Sequence, residues 1–232
     1  MSIGSHQRVA GAPRESGSVD LEELASALVA AMPELEESEQ RVAVELYRLL
    51  AEGLPVSRER LAERAGLPPA RIAELLERWP GVYPDDEGLI VGFWGLAQPT
   101  MPPHRFGVGA RQLSTWCAWD ALFIPVILGK TARVESTCAT TGDLVRLSVG
   151  PGGIEETSPP GVVLSFLRRE EKFDHDIILD FCHHVLFFAS PEAGREWTSR
   201  REGAFLLSVA EGFELGRLVV ERQFGAALRA AR

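Results

Sequence analysis

The sequence predicts an α+β protein, with an N-terminal winged-helix-like helical module followed by a mixed or antiparallel sheet domain with flanking helices. Three patterns carry that expectation. Apolar residues recur at helical spacing between Val19 and Trp79. The segments ARVESTC, DLVRLSVG and GVVLSFL alternate or run apolar as strands do. A set of large apolar residues after Pro191 suggests helices that close the fold.

In chain order, residues 1–18 are poor in large apolar side chains and read as a flexible tail. From Val19 the pattern changes: Leu21, Leu24 and Leu28, then Val42, Leu46 and Leu49, define two amphipathic helices separated near Pro33. Ser57 caps a third helix that runs through Ala65, and Gly66 with Pro68 and Pro69 turns the chain. Ile72, Leu75 and Leu76 mark a fourth helix ending near Trp79. VYPDDEGLIVGFW then reads as two short strands around an Asp-Asp-Glu-Gly turn, completing a helical module over 19–97. The Pro-rich QPTMPPHRFGV reads as a linker or an extended crossing segment, placed at 98–110. Beyond it, 111–232 reads as an α+β domain. It opens with TWCAWDALFIPVILG, which has the length and character of a helix interrupted by Pro125. Thr141-Gly142-Asp143 and Pro151-Gly152-Gly153 are turns, and FCHHVLFFAS suits either a buried strand or a short helix.

Composition excludes several functions. A chain of 232 residues, 45% of them hydrophobic, can bury a core, and no stretch approaches the roughly 20 apolar residues needed to cross a bilayer. The N-terminus has no apolar centre of the secretory kind, so the expected location is cytoplasmic. A net charge of −9 opposes a phosphate backbone as the main partner. The fourth helix agrees, because Arg71 and Arg78 are set against Glu74 and Glu77 and leave no cationic face. The expected partners therefore include neither nucleic acid nor membrane. Three cysteines are too few, and odd in number, for a disulfide scaffold, so they read as reduced thiols. GxSxG, GxxxxGKS and GxGxxG motifs are all missing from the sequence.

Two constellations could carry chemistry. In Trp116-Cys117-Ala118-Trp119-Asp120, positions i and i+3 of a helix bring a thiol and a carboxyl onto one face, close enough to exchange a proton. Walls supplied by Trp116 and Trp119 would raise both pKa values by desolvation, and Phe181 with them would hold the carboxyl near neutral pKa. In Phe181-Cys182-His183-His184 a thiol and two imidazoles invite a metal, although neighbouring histidines on a strand face opposite ways and at most one could join Cys182. Cys138 reads as a buried packing residue.

Taken in order, WCAWDALFIPVILGKTARVESTCATTG, SPPGVVLSFL, FCHHVLFFAS with the following Glu196-Trp197, and SVAEGFELGR closely resemble the organomercurial (alkylmercury) lyase family. The resemblance runs from about Pro55 to Arg217, and all three cysteines fall at family positions. It implies that Cys117 and Cys182 are catalytic thiols that hold mercury as substrate and product, with Asp120 beside them as the catalytic acid and Cys138 structural. The implied reaction replaces a carbon–mercury bond with a carbon–hydrogen bond. It calls for no cofactor but for exogenous thiols, with small-molecule thiols or a mercuric reductase taking the Hg(II). Trp119, larger than the aliphatic residue expected between thiol and acid, would narrow the pocket in favour of methylmercury. Two rival readings are a mercury- or copper-responsive regulator that uses the helical module to read DNA, and a sequestering protein that binds metal without cleaving.

Overall fold

Asp20 opens the first helix by accepting hydrogen bonds from the backbone N–H groups of Glu22 and Glu23, both at 3.0 Å. From there a computed structural model describes residues 19–98, 104–168, 173 and 177–230. The expected tail at 1–18 and residues 99–103 of the expected linker lie outside the described residues.

Helices α1 (Leu21–Ala31), α2 (Glu37–Leu50), α3 (Arg58–Ala65) and α4 (Pro69–Arg78) come first. Their boundaries follow local chemistry. Ser57 Oγ accepts from Arg60 N–H at 3.2 Å, Gly66 ends α3 in the left-handed region, and Pro69 starts α4 with φ already set. A buried carboxylate joins α2 to α4. Glu39, 3% exposed, receives Arg71 at 3.0 Å and also Arg78, while its other oxygen reaches back to the Glu36 N–H at 3.3 Å. The two arginines considered for DNA are thus turned onto the neighbouring helix.

Strands β1 (Val82–Pro84), β2 (Ile90–Phe93), β3 (Leu96–Ala97), β4 (His104–Val108) and β5 (Arg111–Thr115) follow, then helix α5 (Asp120–Leu128). Next come β6 (Ala132–Thr137), β7 (Leu144–Gly150), β8 (Gly153–Ser158), β9 (Val163–Leu167), α6 (Ile177–Asp180) and a turn of 3-10 helix, Cys182–His184. β10 (Phe187–Phe188), α7 (Pro191–Thr198), β11 (Ala204–Ser208) and α8 (Val209–Ala230) complete the order. The fold is α+β, with an eight-stranded antiparallel sheet ordered β1-β2-β3-β5-β4-β6-β7-β8 and a three-stranded sheet ordered β10-β9-β11.

Two sequence expectations change here, and one left open is settled. His104–Val108, inside the segment read as a linker or an extended crossing segment, is an interior strand: His104, Phe106 and Val108 are buried while Arg105 is exposed, a period of two that the preceding prolines masked. The sheet runs without a break through this region, because Leu96 of β3 pairs with Thr115 of β5. The closing segment is not helical throughout, since β11 pairs with β9 between α7 and α8. FCHHVLFFAS resolves into both candidates, a 3-10 turn and then a two-residue strand.

α8 is the central support. α1, α2 and α5 all pack on it, and α5 comes closest where Gly216 leaves room, since a Cβ there would sit 2.6 Å from Phe123 Cβ. α5 is apolar on nearly every side, with eight of its nine residues buried, as expected for a helix enclosed between α8 and the large sheet.

Candidate functional site

The ligating atoms of Cys117, Asp120 and Cys182 all lie within 4.8 Å of one another. All three residues are buried, Cys117 at 0%, Cys182 at 3% and Asp120 at 6% exposure. The structure therefore brings together the two thiols and the carboxyl singled out in the sequence. It does so differently from the expected helix face. Thr115 ends β5 and α5 begins only at Asp120, so Cys117 sits in the connecting turn rather than on the helix. Asp120 Oδ2 accepts the Cys117 backbone N–H at 2.8 Å, so the first residue of α5 reaches back to close the turn before it.

Two loops carry the thiols, and backbone bonds fasten them together. Ala118 N–H donates to the Val185 carbonyl at 3.0 Å, joining the Cys117 turn to the Cys182 turn. Thr115 Oγ1 donates to the Cys117 carbonyl at 3.1 Å. Beneath Cys182, the buried Ser165 of β9 donates through Oγ to the His184 carbonyl at 2.7 Å and accepts from Leu186 N–H at 3.0 Å. Every loop dipole named here has a partner, which fixes the separation of the thiols before any ligand arrives.

The electrostatics follow from burial. Loss of water pushes the Asp120 carboxyl up to about 7, although its hydrogen bonds with Cys117 pull the other way. Burial also pushes the Cys117 thiol well above its ordinary value, helped by the hydrogen bond with Cys182 and the Asp120 charge. For Cys182 the hydrogen bond from Cys117 works downward, yet burial and Asp120 leave the thiol raised. The resting site thus disfavours negative charge, and a soft cation entering it would release protons from the thiols.

The other candidates lie apart from this cluster. His183 is exposed and His184 half-buried, and neither is among the grouped ligands. Cys138 follows β6, where its backbone N–H donates to the Asp143 carbonyl at 2.8 Å and its own carbonyl accepts from Gly142 at 2.9 Å. Burial alone would raise its thiol, but hydrogen bonds from Thr141 and from the backbone of Ala189, Thr141 and Thr140 bring it below the ordinary value. Trp116 turns toward the β1–β2 hairpin, with its ring 5.0 Å from Tyr83. Trp119 turns into the core, where Nε1–H donates to the Gly212 carbonyl at 3.0 Å and the ring meets Phe123 and Phe166. Trp119 is thus a strut between α5 and α8 rather than a constriction between thiol and acid. Phe181, next to Cys182, packs on Phe166 and Phe173 at 5.4 Å each.

Three neighbours escaped the sequence reading. Gly95, in the tight turn between β2 and β3, lies so close to the acid that a Cβ there would stand 2.4 Å from Asp120 Cγ. Tyr47 of α2 donates to the adjacent Trp94 carbonyl at 2.7 Å. The available signal was Trp-Gly between the apolar pairs of GFWGLA, a two-residue hairpin turn hidden inside a longer strand reading. His104 pairs in register with Thr115, contacts Ser136 Oγ through Nδ1 at 2.9 Å, and is held neutral by burial, which brings its pKa down to about 3.

Comparison with known proteins agrees with this geometry. The family model described as alkylmercury lyase matches residues 97–221. The alkylmercury lyase of Pseudomonas putida is 40% identical over 179 residues, covering 77% of this chain and 82% of that protein. The alkylmercury lyase of Streptomyces lividans is 39% identical over 176 residues, covering 76% and 80%. The crystal structure of the mercury-bound form of MerB2 superposes with a TM-score of 0.70 at 19% identity, over 90% of this chain and 98% of that one, and so shares the fold. With this cover of matching sequence, the chain belongs to the alkylmercury lyase family.

Proposed function

We propose that in this organomercurial lyase Cys117 and Cys182 grip the mercury of an alkyl- or arylmercury compound while Asp120 moves the proton that replaces it on carbon. The observation that carries the assignment is the buried grouping of two thiols and one carboxyl within 4.8 Å. Mercury is a soft cation and prefers thiolate sulfur to nitrogen or oxygen. One thiolate gives a stable linear R–Hg–S species. A second adds electron density at mercury and makes the departing carbon basic enough to take a proton.

Cys117 loses its proton to Asp120 as its sulfur binds RHg⁺ and displaces the incoming thiolate ligand. Cys182 then adds to mercury, and its proton leaves with the displaced ligand. Protonated Asp120 delivers the Cys117 proton to carbon as the carbon–mercury bond breaks. The sum is two protein thiols plus R–Hg–L giving RH, HL and protein-bound Hg(II). A carboxyl with pKa about 7 suits both halves, accepting from a thiol and then donating to carbon. The reaction calls for no cofactor. Two thiolates hold Hg(II) tightly, so turnover depends on exogenous thiols or the cysteines of a mercuric reductase to remove it by ligand exchange.

Cys138 is assigned a structural role, since its hydrogen bonds tie the β6–β7 turn to Ala189, between β10 and α7. Residues 19–97 are read as a winged-helix-like module whose strands continue the sheet of the catalytic part at 111–232, with 98–110 the connection that ends in β4, and not as a DNA reader, because Arg71 and Arg78 are engaged by Glu39. A cytoplasmic location suits three free cysteines, and no helix among the described residues is long and apolar enough to cross a membrane.

The test is methane release from methylmercury with excess thiol. Wild type and Cys138→Ser should turn over repeatedly, while Cys117→Ser, Cys182→Ser and Asp120→Ala should not. Binding of methylmercury by wild type without methane would leave a sequestering protein or a sensor.

A further inference from the structure

The Trp94-Gly95 turn is under backbone strain at the point where it meets the acid. Phe93 and Leu96 pair across it, so Trp94 and Gly95 are the two central residues of a hairpin turn, and both have positive φ, +35° and +95°. A primed hairpin turn demands this of both residues and is ordinarily built from Asn-Gly. Tryptophan there is costly and persists only where its surroundings hold it.

Three hydrogen bonds hold it. Trp94 N–H donates to the Gly81 carbonyl at 3.1 Å, and Trp116 N–H donates to the Gly95 carbonyl at 2.9 Å. The third comes from outside the sheet: Tyr47 Oη donates to the Trp94 carbonyl at 2.7 Å, from a ring 1% exposed and packed 5.1 Å from Phe93 and 6.2 Å from Phe224. On its far side the turn presents Gly95 to the Asp120 carboxyl, whose Oδ2 is already fixed by the Cys117 N–H. The carboxyl is therefore held between its own loop and the turn that Tyr47 pins.

We propose that Tyr47 is a positioning residue for the lyase reaction: its hydroxyl pins the Trp94 carbonyl and keeps Gly95 closed against Asp120, so the N-terminal module sets the aim and the dryness of the proton carrier. This rests on the proton-transfer role assigned to Asp120 above. Among the described residues the titratable groups facing that carboxyl are Cys117 from its own loop, Cys182 from the 3-10 turn and Tyr47 from α2, while the β2–β3 turn presents only Trp94 and Gly95. Burial, with the Asp120 charge, pushes Tyr47 well above its ordinary value, so it remains a neutral donor throughout the working range.

Tyr47→Phe removes one hydroxyl and keeps the ring. It should lower kcat for methane release roughly tenfold, below the ~100-fold that a full 1 Å misplacement can cost. Stoichiometric capture of methylmercury should be unchanged. Water admitted beside Asp120 should lower its pKa, so the acid limb of kcat/KM should move down by about one unit. Unchanged kcat and limb, or a lower kcat with the limb in place, would overturn the proposal, the second outcome marking a structural effect alone. An Asp120→Asn control separates the layers. Full turnover by that variant would remove the underlying role of Asp120, whereas an inactive Asp120→Asn beside a Tyr47→Phe protein equal to wild type would remove only the inference about Tyr47.

Discussion

Asp120 Oδ2 accepts the backbone N–H of Cys117 at 2.8 Å, so the acid is hydrogen-bonded to the residue whose proton it is proposed to receive. That bond stabilises the carboxylate, while burial opposes it and prevails, setting the pKa at about 7. The carboxyl must be ionised to accept from Cys117. kcat/KM should therefore rise with pH through about 7 and level off above it, because the neighbouring thiols are pushed upward and do not titrate in that range. Asp120→Asn should lose this limb and turn over roughly 10²–10⁴-fold more slowly. Steady-state rates from pH 5.5 to 8.5 decide it; a variant that retains the wild-type limb would assign the titration to another group.

The same carboxyl should cost stability above neutral pH. Its folded pKa of about 7 exceeds the ordinary value of 3.8, so the folded state binds the proton more tightly than the unfolded state does. The stability this contributes is complete below about pH 3.8 and is lost progressively as pH rises to about 7. Asn keeps an acceptor for the Cys117 N–H but cannot ionise. Asp120→Asn should therefore gain on wild type as pH rises across that window, by a few kcal/mol at pH 8. Thermal melts at pH 5 and pH 8 measure the difference, and a gap independent of pH would contradict it.

The sequence made the chemistry more legible than the geometry. Cys117, Asp120 and Cys182 were singled out together because of the family resemblance that their motifs carry, and the helix caps at Ser57 and Gly66 were readable because capping is local. What failed was non-local. Cys117 and Asp120 were read as sharing a helix face, yet a turn closed by the Cys117 N–H to Asp120 hydrogen bond brings them together. His104–Val108 was concealed by the prolines before it, and its strand character depends on β5 and β6 lying on either side. Neither Tyr47 nor Gly95 shows any local sign of approaching Asp120, because α2 and the β2–β3 turn meet the acid only after the sheet closes over α5.

Trp119 offers a test of that lesson, since its position between thiol and acid suggests pocket wall and its contacts say core. Its Nε1–H is bonded to Gly212 and its ring lies 4.8 Å from Phe123 and 5.5 Å from Phe166. Trp119→Leu should lower stability by about 2–4 kcal/mol through lost packing and an unpaired Gly212 carbonyl. The ratio of phenylmercury to methylmercury turnover should stay within about twofold of wild type at a temperature where the variant is folded, because one methylene of pocket space already shifts discrimination by at least about tenfold. Denaturant melts and paired rates are the measurements; a shift toward the aryl substrate with little loss of stability would return Trp119 to the pocket.

Glu39 decides whether the helical module is built for packing. Its side chain is 3% exposed, and it receives both Arg71 and Arg78 while capping the Glu36 N–H. Glu39→Ala should destabilise the protein by about 2–4 kcal/mol, since it removes a helix cap together with the carboxylate that two arginines share. The arginines are half-exposed, which lets them find water and limits the loss. Releasing them also exposes two cations on α4, so the variant is the more demanding test of the DNA reading. Urea unfolding should register the loss, and neither wild type nor variant should retard duplex DNA at 0.15 M salt. Salt-sensitive retardation by wild type would show that the ion pairs open to admit phosphate, and the module would then be a nucleic-acid interface after all.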